Sequence, residues 1–399
     1  MNKKIQFLFL AGVYLLTTGV SFELFSFFNQ PAAEQSIISP EVAPPESRFK
    51  IELTGPKDQV CPLNGMMFTK KEQEIWAQRR PLTVVIENHL DSRPQSGLSK
   101  ADVVYEAVAE GGITRFLAIF YCANAAYSLE GEYDIGPVRS ARTYFLDWAS
   151  EYSDYPLYVH VGGAGQCSDP TVNAKAKALC QIERYGWKNK DSRSDLDQFS
   201  LGFRICRREP DRTGEPVATE HSMYCGTSAL WAVAADRGLT NINENSKKQP
   251  SWDVNFQSWL FKEDSPSGGL VSPEFEFWSN KPDYQVKWAY DSQNNQYKRI
   301  DAGVETEDFY YKEKIFAKNV VVQVSKETTS VDEHMHNLYQ TTGTGKAFIF
   351  QDGKVIEGSW SKKDRLSRTK FYDQAKKEIA FNRGPIWIEV IPSEKTLTY

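Results

Sequence analysis

The sequence lacks the short motifs by which many enzymes are identified. It contains no Gly-x-Ser-x-Gly elbow of the kind that presents a nucleophilic serine. The glycine-rich stretch at residues 160–165 has neither the Lys-Ser/Thr pair of a Walker A loop nor the spacing of a dinucleotide fingerprint. No internal repeat is found. These absences argue against a serine hydrolase of that type, a nucleotide-binding protein and a repeat protein.

The charge balance shows no basic excess. The chain has 47 Lys and Arg against 52 Asp and Glu, a formal net charge of −5. Nucleic-acid-binding domains usually carry a positive excess, so we expect no nucleic-acid partner. With 41% hydrophobic and 25% charged residues the composition is that of an ordinary globular protein, and 399 residues favour two domains.

Cysteine is absent from the C-terminal third, and no Cys-x-x-Cys pair occurs. The spacing therefore gives no sign of a metal site, and we predict neither a metal nor another cofactor. An even number of cysteines in one exported domain favours disulfides, with some buried free thiols as the alternative. The sequence does not choose among the possible connectivities. The disulfide candidates are Cys61, Cys122, Cys167, Cys180, Cys206 and Cys225.

Charged residues are nearly absent from residues 5–28, where Glu23 is the exception. A helix of this length spans the roughly 30 Å core of a bilayer, and the lysines before it place the N-terminus in the cytoplasm. We predict a transmembrane signal-anchor over residues 1–28, in a single-pass cell-membrane protein whose bulk is extracytoplasmic. The alternative is a cleaved signal peptide and a secreted protein.

Residues 29–56, rich in Pro, Ala, Ser and Glu, are expected to form a flexible tether.

Four apolar runs between residues 80 and 165 favour β-strands, because each is short and rich in Val, Ile, Phe or Tyr. They are residues 82–86, 103–105, 113–121 and 157–161. The third run is apolar on both faces after Arg115, which is typical of a central strand covered on both sides. A helix is predicted at about residues 140–152, where apolar residues recur at the spacing of one helical face.

The C-terminal part of the sequence is patterned almost entirely as strand. From residue 285 onward, short runs rich in Val, Ile, Phe and Tyr follow one another, and Asp352-Gly353 joins two of them in a tight hairpin turn. We predict an N-terminal domain at residues 57–245, a connector at residues 246–284 and a C-terminal domain at residues 285–399. The second domain is expected to form an independent core.

Several long stretches resemble the YerB-like lipoprotein family of bacterial envelope proteins. They read IENHLDSRPQSGLSKADVVYEAVAEGGITRFLAIF, DIGPVRSARTYFLDWASEY and YVHVGG in the first half, and AKNVVVQV, GTGKAFIFQDGKVIEGSW and WIEVIP in the second. The resemblance implies an α+β fold, in which a mixed-sheet, sandwich-like N-terminal domain with helices is followed by a mostly antiparallel β C-terminal domain. It implies a place outside the cytoplasm and no reaction. The chain departs from the lipoprotein pattern, because no cysteine follows the apolar run until Cys61.

Three arginines are the best candidates for a binding site. Arg139 and Arg142 are three residues apart at the start of the predicted helix, so they share a face close to free backbone N–H groups that attract anions. Arg115 opens the neighbouring strand, and all three can bind a phosphate or carboxylate in a surface cleft. The ligand-binding candidates, with the glycines expected at the rim, are Arg115, Arg139, Arg142, Gly112, Gly136 and Gly163.

Each of these arginines also has a purely structural interpretation. They are alternatively ion-pair partners that only stabilise the fold. The acidic candidates for that role are Glu87, Glu106, Glu110 and Asp147.

The candidate catalytic residues are Glu87, Glu106 and His160. A carboxylate or an imidazole near the arginines has the chemistry of a general base. His160 lies on a predicted buried strand, where a hydrogen-bonded core histidine is the alternative. No spacing such as His-x-x-x-His links the histidines, so the pattern does not indicate a metal site.

Two functions are compatible with these features. The first is a membrane-anchored extracytoplasmic protein that binds an anionic cell-wall polymer or another envelope protein. The second is an enzyme, a transferase or hydrolase that acts on a phosphate-bearing or glycan envelope polymer. An enzyme requires Glu87, Glu106 or His160 within hydrogen-bond reach of the anion site, whereas a binding protein does not.

Overall fold

A ten-stranded sheet organises the part of the chain that the computed structural model describes, residues 54–126 and 132–399. None of the helices in those two ranges combines the length and apolar character that a membrane span requires. The predicted signal-anchor at residues 1–28 and nearly all of the predicted tether lie outside the described residues.

The described residues contain four short α-helices. The first begins at a capping box, in which Thr69 accepts a hydrogen bond from the backbone of Glu72 and the Glu72 carboxylate accepts one from the backbone of Thr69. The helices are α1 (Lys70–Trp76), α2 (Thr143–Ala149), α3 (Ala178–Arg184) and α4 (Thr227–Asp236).

The strands are numbered in chain order. The first eleven are β1 (Lys57–Val60), β2 (Met67–Thr69), β3 (Leu82–Glu87), β4 (Val103–Glu110), β5 (Ile113–Phe120), β6 (Leu157–His160), β7 (Asp195–Asp197), β8 (Cys206–Arg208), β9 (Met223–Cys225), β10 (Leu260–Lys262) and β11 (Glu274–Glu276). The others are β12 (Gln285–Asp291), β13 (Gln296–Asp301), β14 (Val304–Glu305), β15 (Phe316–Ala317), β16 (Asn319–Val324), β17 (Glu327–Thr328), β18 (Leu338–Tyr339), β19 (Gly343–Gln351), β20 (Lys354–Lys362), β21 (Lys370–Asp373), β22 (Ala380–Asn382) and β23 (Ile386–Ile391).

The large sheet is mixed, with the order β21-β20-β19-β16-β23-β4-β5-β3-β6-β7. Its C-terminal part is an antiparallel meander from β21 to β16. Strand β23 runs parallel to both of its neighbours, β16 and β4. Strand β5 is antiparallel to β4 and β3, and β6 and β7 continue in parallel at the far side. The predicted α+β class, mixed in the N-terminal part and largely antiparallel in the C-terminal part, is confirmed.

All four predicted apolar runs form strands of this sheet, β3 to β6. Strand β5 lies between β3 and β4 and is buried along nearly its whole length, as expected for a run that is apolar on both faces. The predicted helix at residues 140–152 is shorter in the structure. Its first residues are extended, because Arg142 is the N-cap at φ −133° and ψ 148° and Ala141 pairs with Gly163 instead of joining the helix.

Two apolar layers cover the sheet. On one face it packs against α2 and α3, with Trp148 and Ile182 among the buried residues. On the other face lie α4 and a second sheet made of β11 to β15, which contribute Leu230, Trp288 and Tyr297. This sheet-on-sheet arrangement is the sandwich-like element of the fold.

The large sheet takes strands from both halves of the chain. At its centre β23 pairs with β4 through four residue pairs, from Ile386↔Val103 to Glu389↔Glu106. Two strands also form within the predicted connector, since β10 pairs with β22 and β11 with β12. The segments predicted as separate domains therefore share hydrogen bonds and a core, whereas their capacity to fold separately stays a prediction.

The six cysteines form three disulfides, which confirms the predicted oxidation. The second and third bonds close loops with sequence separations of 13 and 19, and the first joins positions 61 apart. The third also links residues that face each other across the β8–β9 pair. The pairs are Cys61–Cys122, Cys167–Cys180 and Cys206–Cys225.

Candidate functional site

Arg115 and Arg142 bind the same carboxylate. A terminal guanidinium nitrogen of Arg115 donates to one oxygen of Glu110 over 3.0 Å, and the Nε of Arg142 donates to the other. Each arginine also donates to a backbone carbonyl just before α2. His336 lies 4.0 Å from the same carboxylate. We call Glu110, Arg115, Arg142 and His336 the Glu110 cluster.

The hairpin between β4 and β5 positions the acidic residue and one of the arginines. Gly111 and Gly112 form its turn with φ angles of 59° and 87°, a conformation that favours glycine. Glu110 ends β4, and Arg115 lies near the start of β5 opposite Ala107. The turn therefore brings these two side chains together at one end of the sheet.

The Glu110 cluster carries more positive than negative charge. Burial raises the pKa of Glu110, but Arg115 and Arg142 together hold that pKa below its ordinary value. Burial and the charge of Arg115 lower the pKa of Arg142. Nδ1 of His336 lies 2.9 Å from the Asp332 carboxylate. The Glu110 carboxylate therefore faces two guanidinium groups.

One donor of the cluster is unsatisfied. The Nε of Arg115 is buried and has no hydrogen-bond partner among residues 54–126 and 132–399. The Arg115 side chain as a whole is only 6% exposed, whereas Glu110 is 20% exposed. A buried unpaired donor costs about 1–3 kcal/mol, so an added acceptor at this position is favourable.

Arg139 is bound by a different carboxylate. Its Nε donates to one oxygen of Glu87 over 2.9 Å, and the other oxygen accepts a hydrogen bond from Nδ1 of His221 at 2.8 Å. The Arg139 side chain is 23% exposed. Both Glu87 and Glu110 were expected partners under the structural alternative. The structure thus brings Arg115 and Arg142 together, gives Arg139 another partner, and leaves their role in ligand binding a prediction.

Two further polar side chains lie beside His221. The rings of His89 and His221 stack with centroids 4.4 Å apart and planes 9° from parallel. The Asp91 carboxylate lies 3.6 Å from Nδ1 of His89 and 3.9 Å from Nε2 of His221. One potential ligand atom from each of the three lies within 4.8 Å of the other two. We call His89, Asp91 and His221 the two-histidine cluster.

His89 and His221 are chemically suitable from the sequence alone, but the sequence does not link them to each other or to Asp91. A partial signal exists, since His89 and Asp91 are two residues apart in the turn that follows β3. His221, however, comes 134 residues after Glu87, in the short turn before β9. Only the fold brings these positions together, so residue spacing in the sequence does not link them.

The three predicted rim glycines contact different neighbours. A Cβ at Gly112 would lie 2.9 Å from the Lys281 side chain, and one at Gly136 would lie 2.7 Å from the carbonyl oxygen of Met223. A Cβ at Gly163 would meet Ala141 at 3.0 Å. Each glycine therefore permits close packing at its own place, and a role in binding a ligand stays a prediction for all three.

Glu106 is fully buried in a network of charged groups. It binds Arg299 at 2.7 Å and accepts hydrogen bonds from Asn88 and Thr114. Arg299 also binds Glu389 at 2.9 Å. Burial, and next the charge of Glu106, raise the pKa of Glu389 well above its ordinary value. The network ties β4 to β13 and β23, and its inaccessibility argues against Glu106 as a base.

His160 is also fully buried. Its Nε2 donates to Asp195 at 2.7 Å and its Nδ1 to the backbone carbonyl of Gly162 at 2.6 Å. Burial lowers the pKa of His160, but the hydrogen bond and charge of Asp195 raise it more, so this pKa lies above its ordinary value. Both neighbours are acceptors, which suits an imidazolium in the core.

Of the three proposed bases, Glu87 is the one that contacts an arginine of the predicted site.

Comparison with known proteins extends over most of the chain. Residues 66–240 match the N-terminal domain of a protein family of unknown function, DUF3048, and residues 274–388 match its C-terminal domain. The chain is 28% identical over 333 residues to a candidate lipoprotein named YerB from Bacillus subtilis (strain 168), covering 83% of this chain and 86% of that protein.

The fold is similar to a solved structure as well. The crystal structure of Bacillus subtilis YerB superposes with a TM-score of 0.66 at 25% identity, covering 85% of this chain and 99% of that one. The order of the two matched domains and the shared fold agree with the resemblance found in the sequence. The chain belongs to the YerB-like family, whose N-terminal and C-terminal DUF3048 domains it carries in that order.

Proposed function

We propose that the protein is a membrane-anchored, extracytoplasmic envelope protein that binds an anionic cell-wall component through the Glu110 cluster. The ligand group is a phosphate or a carboxylate, because arginine binds both with two parallel hydrogen bonds. The observation that carries the proposal is the excess of positive charge, with an unpaired Arg115 Nε, around one partly exposed carboxylate.

The compartment is supported by three observations. All six cysteines are paired, and disulfides persist in oxidising compartments outside the cytoplasm. A relative that aligns over most of this chain is named as a candidate lipoprotein. The apolar run at residues 5–28 has the length of a membrane span and follows two lysines. A cleaved leader would instead give a secreted protein with the same binding surface.

Glu110 explains how an anion would bind at such a buried place. Its carboxylate already occupies the position between the two guanidinium groups. An incoming phosphate oxygen would bind the same groups and add a bond to the free Nε of Arg115, while Glu110 moves toward solvent. Each charge-assisted hydrogen bond is worth about 1.5–3 kcal/mol.

Calorimetric titration with inorganic phosphate and with a glycerol-phosphate oligomer tests the proposal. We expect Arg142→Ala to weaken binding roughly tenfold or more, since one such hydrogen bond corresponds to at least that factor. Arg142→Lys should recover only part of the loss, because a lysine does not bind two oxygens in one plane. Arg139→Ala separates this site from the predicted site of three arginines: it should bind normally, because Arg139 is bound by Glu87, and weaker binding would return Arg139 to the site.

A variant that binds phosphate more tightly than wild type would show an effect on binding that a loss of fold cannot produce. Glu110→Gln removes the internal competitor for both guanidinium groups, so phosphate should bind more tightly to this variant than to the wild type. Thermal melts of each variant control for loss of fold. Wild-type protein that binds no phosphate, or a Glu110→Gln variant that binds less tightly than wild type, would contradict the proposal. Saturable binding of another envelope protein alone would favour that partner instead.

The enzyme alternative rests on Glu87, which accepts one hydrogen bond from Arg139 and one from His221. A carboxylate that orients a histidine is a recurring arrangement in general-base catalysis. Turnover of a phosphate-bearing or glycan envelope polymer that is lost in Glu87→Gln would support it.

A further inference from the structure

We propose that the two-histidine cluster, His89, Asp91 and His221, binds one divalent transition-metal ion of the zinc class. The three side chains present two imidazole nitrogens and one carboxylate oxygen within 4.8 Å of one another. Ligand atoms about 2.0–2.2 Å from a tetrahedral zinc ion lie somewhat closer together than this. A metal ion lies in the plane of each imidazole that binds it, so binding also requires the stacked rings of His89 and His221 to turn out of their parallel arrangement. His89 and Asp91, whose side chains are 30% and 56% exposed, are the ones that would move.

The orientation of His221 suits a metal ligand. Its Nδ1 donates to Glu87, so Nε2, which lies 3.9 Å from the Asp91 carboxylate, is the nitrogen available to a metal ion. The second oxygen of Glu87 is bound by Arg139. A carboxylate that orients a histidine from behind is the usual outer partner of a metal-bound imidazole, and it raises the basicity of the ligand.

His89 and Asp91 supply the more accessible part of the cluster. His89 is the N-cap of the short turn Leu90–Ser92, and its Nδ1 accepts a hydrogen bond from the backbone N–H of Asp91. The His89 side chain is 30% exposed and that of Asp91 is 56% exposed, whereas His221 is 10% exposed. The cluster thus has one anchored ligand and an open side through which an ion can enter.

The type of ion follows from the donor atoms. Two imidazoles and a carboxylate suit Zn²⁺ and its neighbours, whereas Mg²⁺ and Ca²⁺ prefer oxygen ligands alone. The cysteines, which would compete for a zinc ion as thiolates, are all oxidised. Three protein ligands leave a fourth coordination position for water or a ligand oxygen, as in catalytic zinc sites.

This proposal does not depend on the Glu110 cluster. The two sites share no residue, and they use different carboxylates, Glu87 and Glu110. Failure of one therefore says nothing about the other. The two-histidine cluster does contain His221, which pairs with Glu87 in the enzyme alternative.

Cobalt titration of the full chain tests the site. The protein is first treated with a chelator and kept free of reductant, so that the disulfides stay closed. We expect Co²⁺ to bind one to one and to give the visible absorption of a four- or five-coordinate nitrogen–oxygen site, and Zn²⁺ to displace it. Mg²⁺ should not compete. His89→Ala and Asp91→Asn, which change exposed side chains, should each weaken Co²⁺ binding by at least tenfold.

The chain provides a matched control for non-specific histidine binding. His334 is exposed and its ring lies 5.7 Å from that of His336, so His334→Ala removes a histidine from another pair and should leave the affinity unchanged. Glu87→Gln changes the outer partner of His221 and should weaken binding about 10- to 100-fold. The inference is overturned if wild-type protein binds no Co²⁺ at one equivalent, or if His89→Ala and Asp91→Asn bind it as tightly as wild type.

Discussion

At the scale of single residues, the buried ionisable groups have assignable roles. His160 is held between two acceptors, Asp195 and the carbonyl of Gly162. Two donors are needed to satisfy both, and only the imidazolium has them. A residue that was a candidate base is thus placed as a charged structural link between β6 and β7.

The charge on His160 predicts a pH dependence of stability. Its folded pKa lies above the ordinary histidine value, so its contribution is complete below pH about 6.5 and is lost as pH rises through the folded pKa. We therefore expect His160→Gln to be about 1.5–3 kcal/mol less stable than wild type at low pH. The difference should shrink on going to alkaline pH.

Denaturant unfolding at several pH values measures this difference. His334→Ala, a change at an exposed histidine, is the control. Its free energy of unfolding should differ from that of wild type by the same small amount at every pH. A stability difference for His160→Gln that stays constant, or that grows with pH, would show that His160 is neutral in the folded protein.

At the scale of elements, local sequence specified the strands better than the helix ends. The four apolar runs became β3 to β6 because their side chains alone favour burial on a sheet. The helix at α2 begins later than its apolar spacing predicts. Residues 135–141 are taken up by pairings with other segments, such as Ile86↔Val138 and Ala141↔Gly163. The apolar periodicity of residues 140–152 carries no information about the distant segments with which residues 135–141 pair.

Gly136 lies in this paired segment and should not tolerate a side chain. Its φ is 145°, and a Cβ there would lie 2.7 Å from the Met223 carbonyl oxygen. Gly111 also has a positive φ, 59°, but a Cβ there meets nothing within 4 Å. We expect Gly111→Ala to cost about 1–2 kcal/mol of stability from backbone strain alone. Gly136→Ala should cost clearly more, because backbone must move as well.

Paired thermal melts of the two glycine variants provide the comparison. Equal losses would mean that the segment at residues 135–141 shifts easily and that its contact with β9 contributes little. A larger loss for Gly136→Ala would show that the segment is fixed in place. Since this segment carries Arg139 and leads into Arg142, its rigidity bears on both charged sites.

At the scale of the whole molecule, the sequence indicated the fold class, the candidate arginines and a set of possible acidic partners, but not which partner each arginine takes. Glu110 was one of four acidic residues considered as partners of the arginines, and the hairpin between β4 and β5 brings it to Arg115. The pairing of Glu87 with His221 spans 134 residues and depends on where β9 lies. In the same way, the composition of β23 does not predict that it lies beside β4.

The shared sheet leads to a prediction about the two halves. We expect residues 283–399 alone not to fold, contrary to what their strand-rich pattern suggests. Without the N-terminal half, β23, whose six residues are all buried, would lose its neighbour β4. Lys362 would lose its buried partner Glu151, which lies 2.8 Å away. Removing one partner of a buried ion pair costs about 3–5 kcal/mol.

Separate and joint expression of the halves distinguishes the possibilities. Residues 283–399 alone should show no cooperative unfolding transition by circular dichroism, whereas co-expression with residues 54–282 should give a complex with a single transition. In the full chain, Glu151→Gln leaves Lys362 buried beside a neutral group and should lower the midpoint of that transition without splitting it. A cooperative transition in the isolated C-terminal fragment would show that the second core is self-sufficient. In that case β23 tolerates an open edge, and the ion pairs between the halves only dock two folded units.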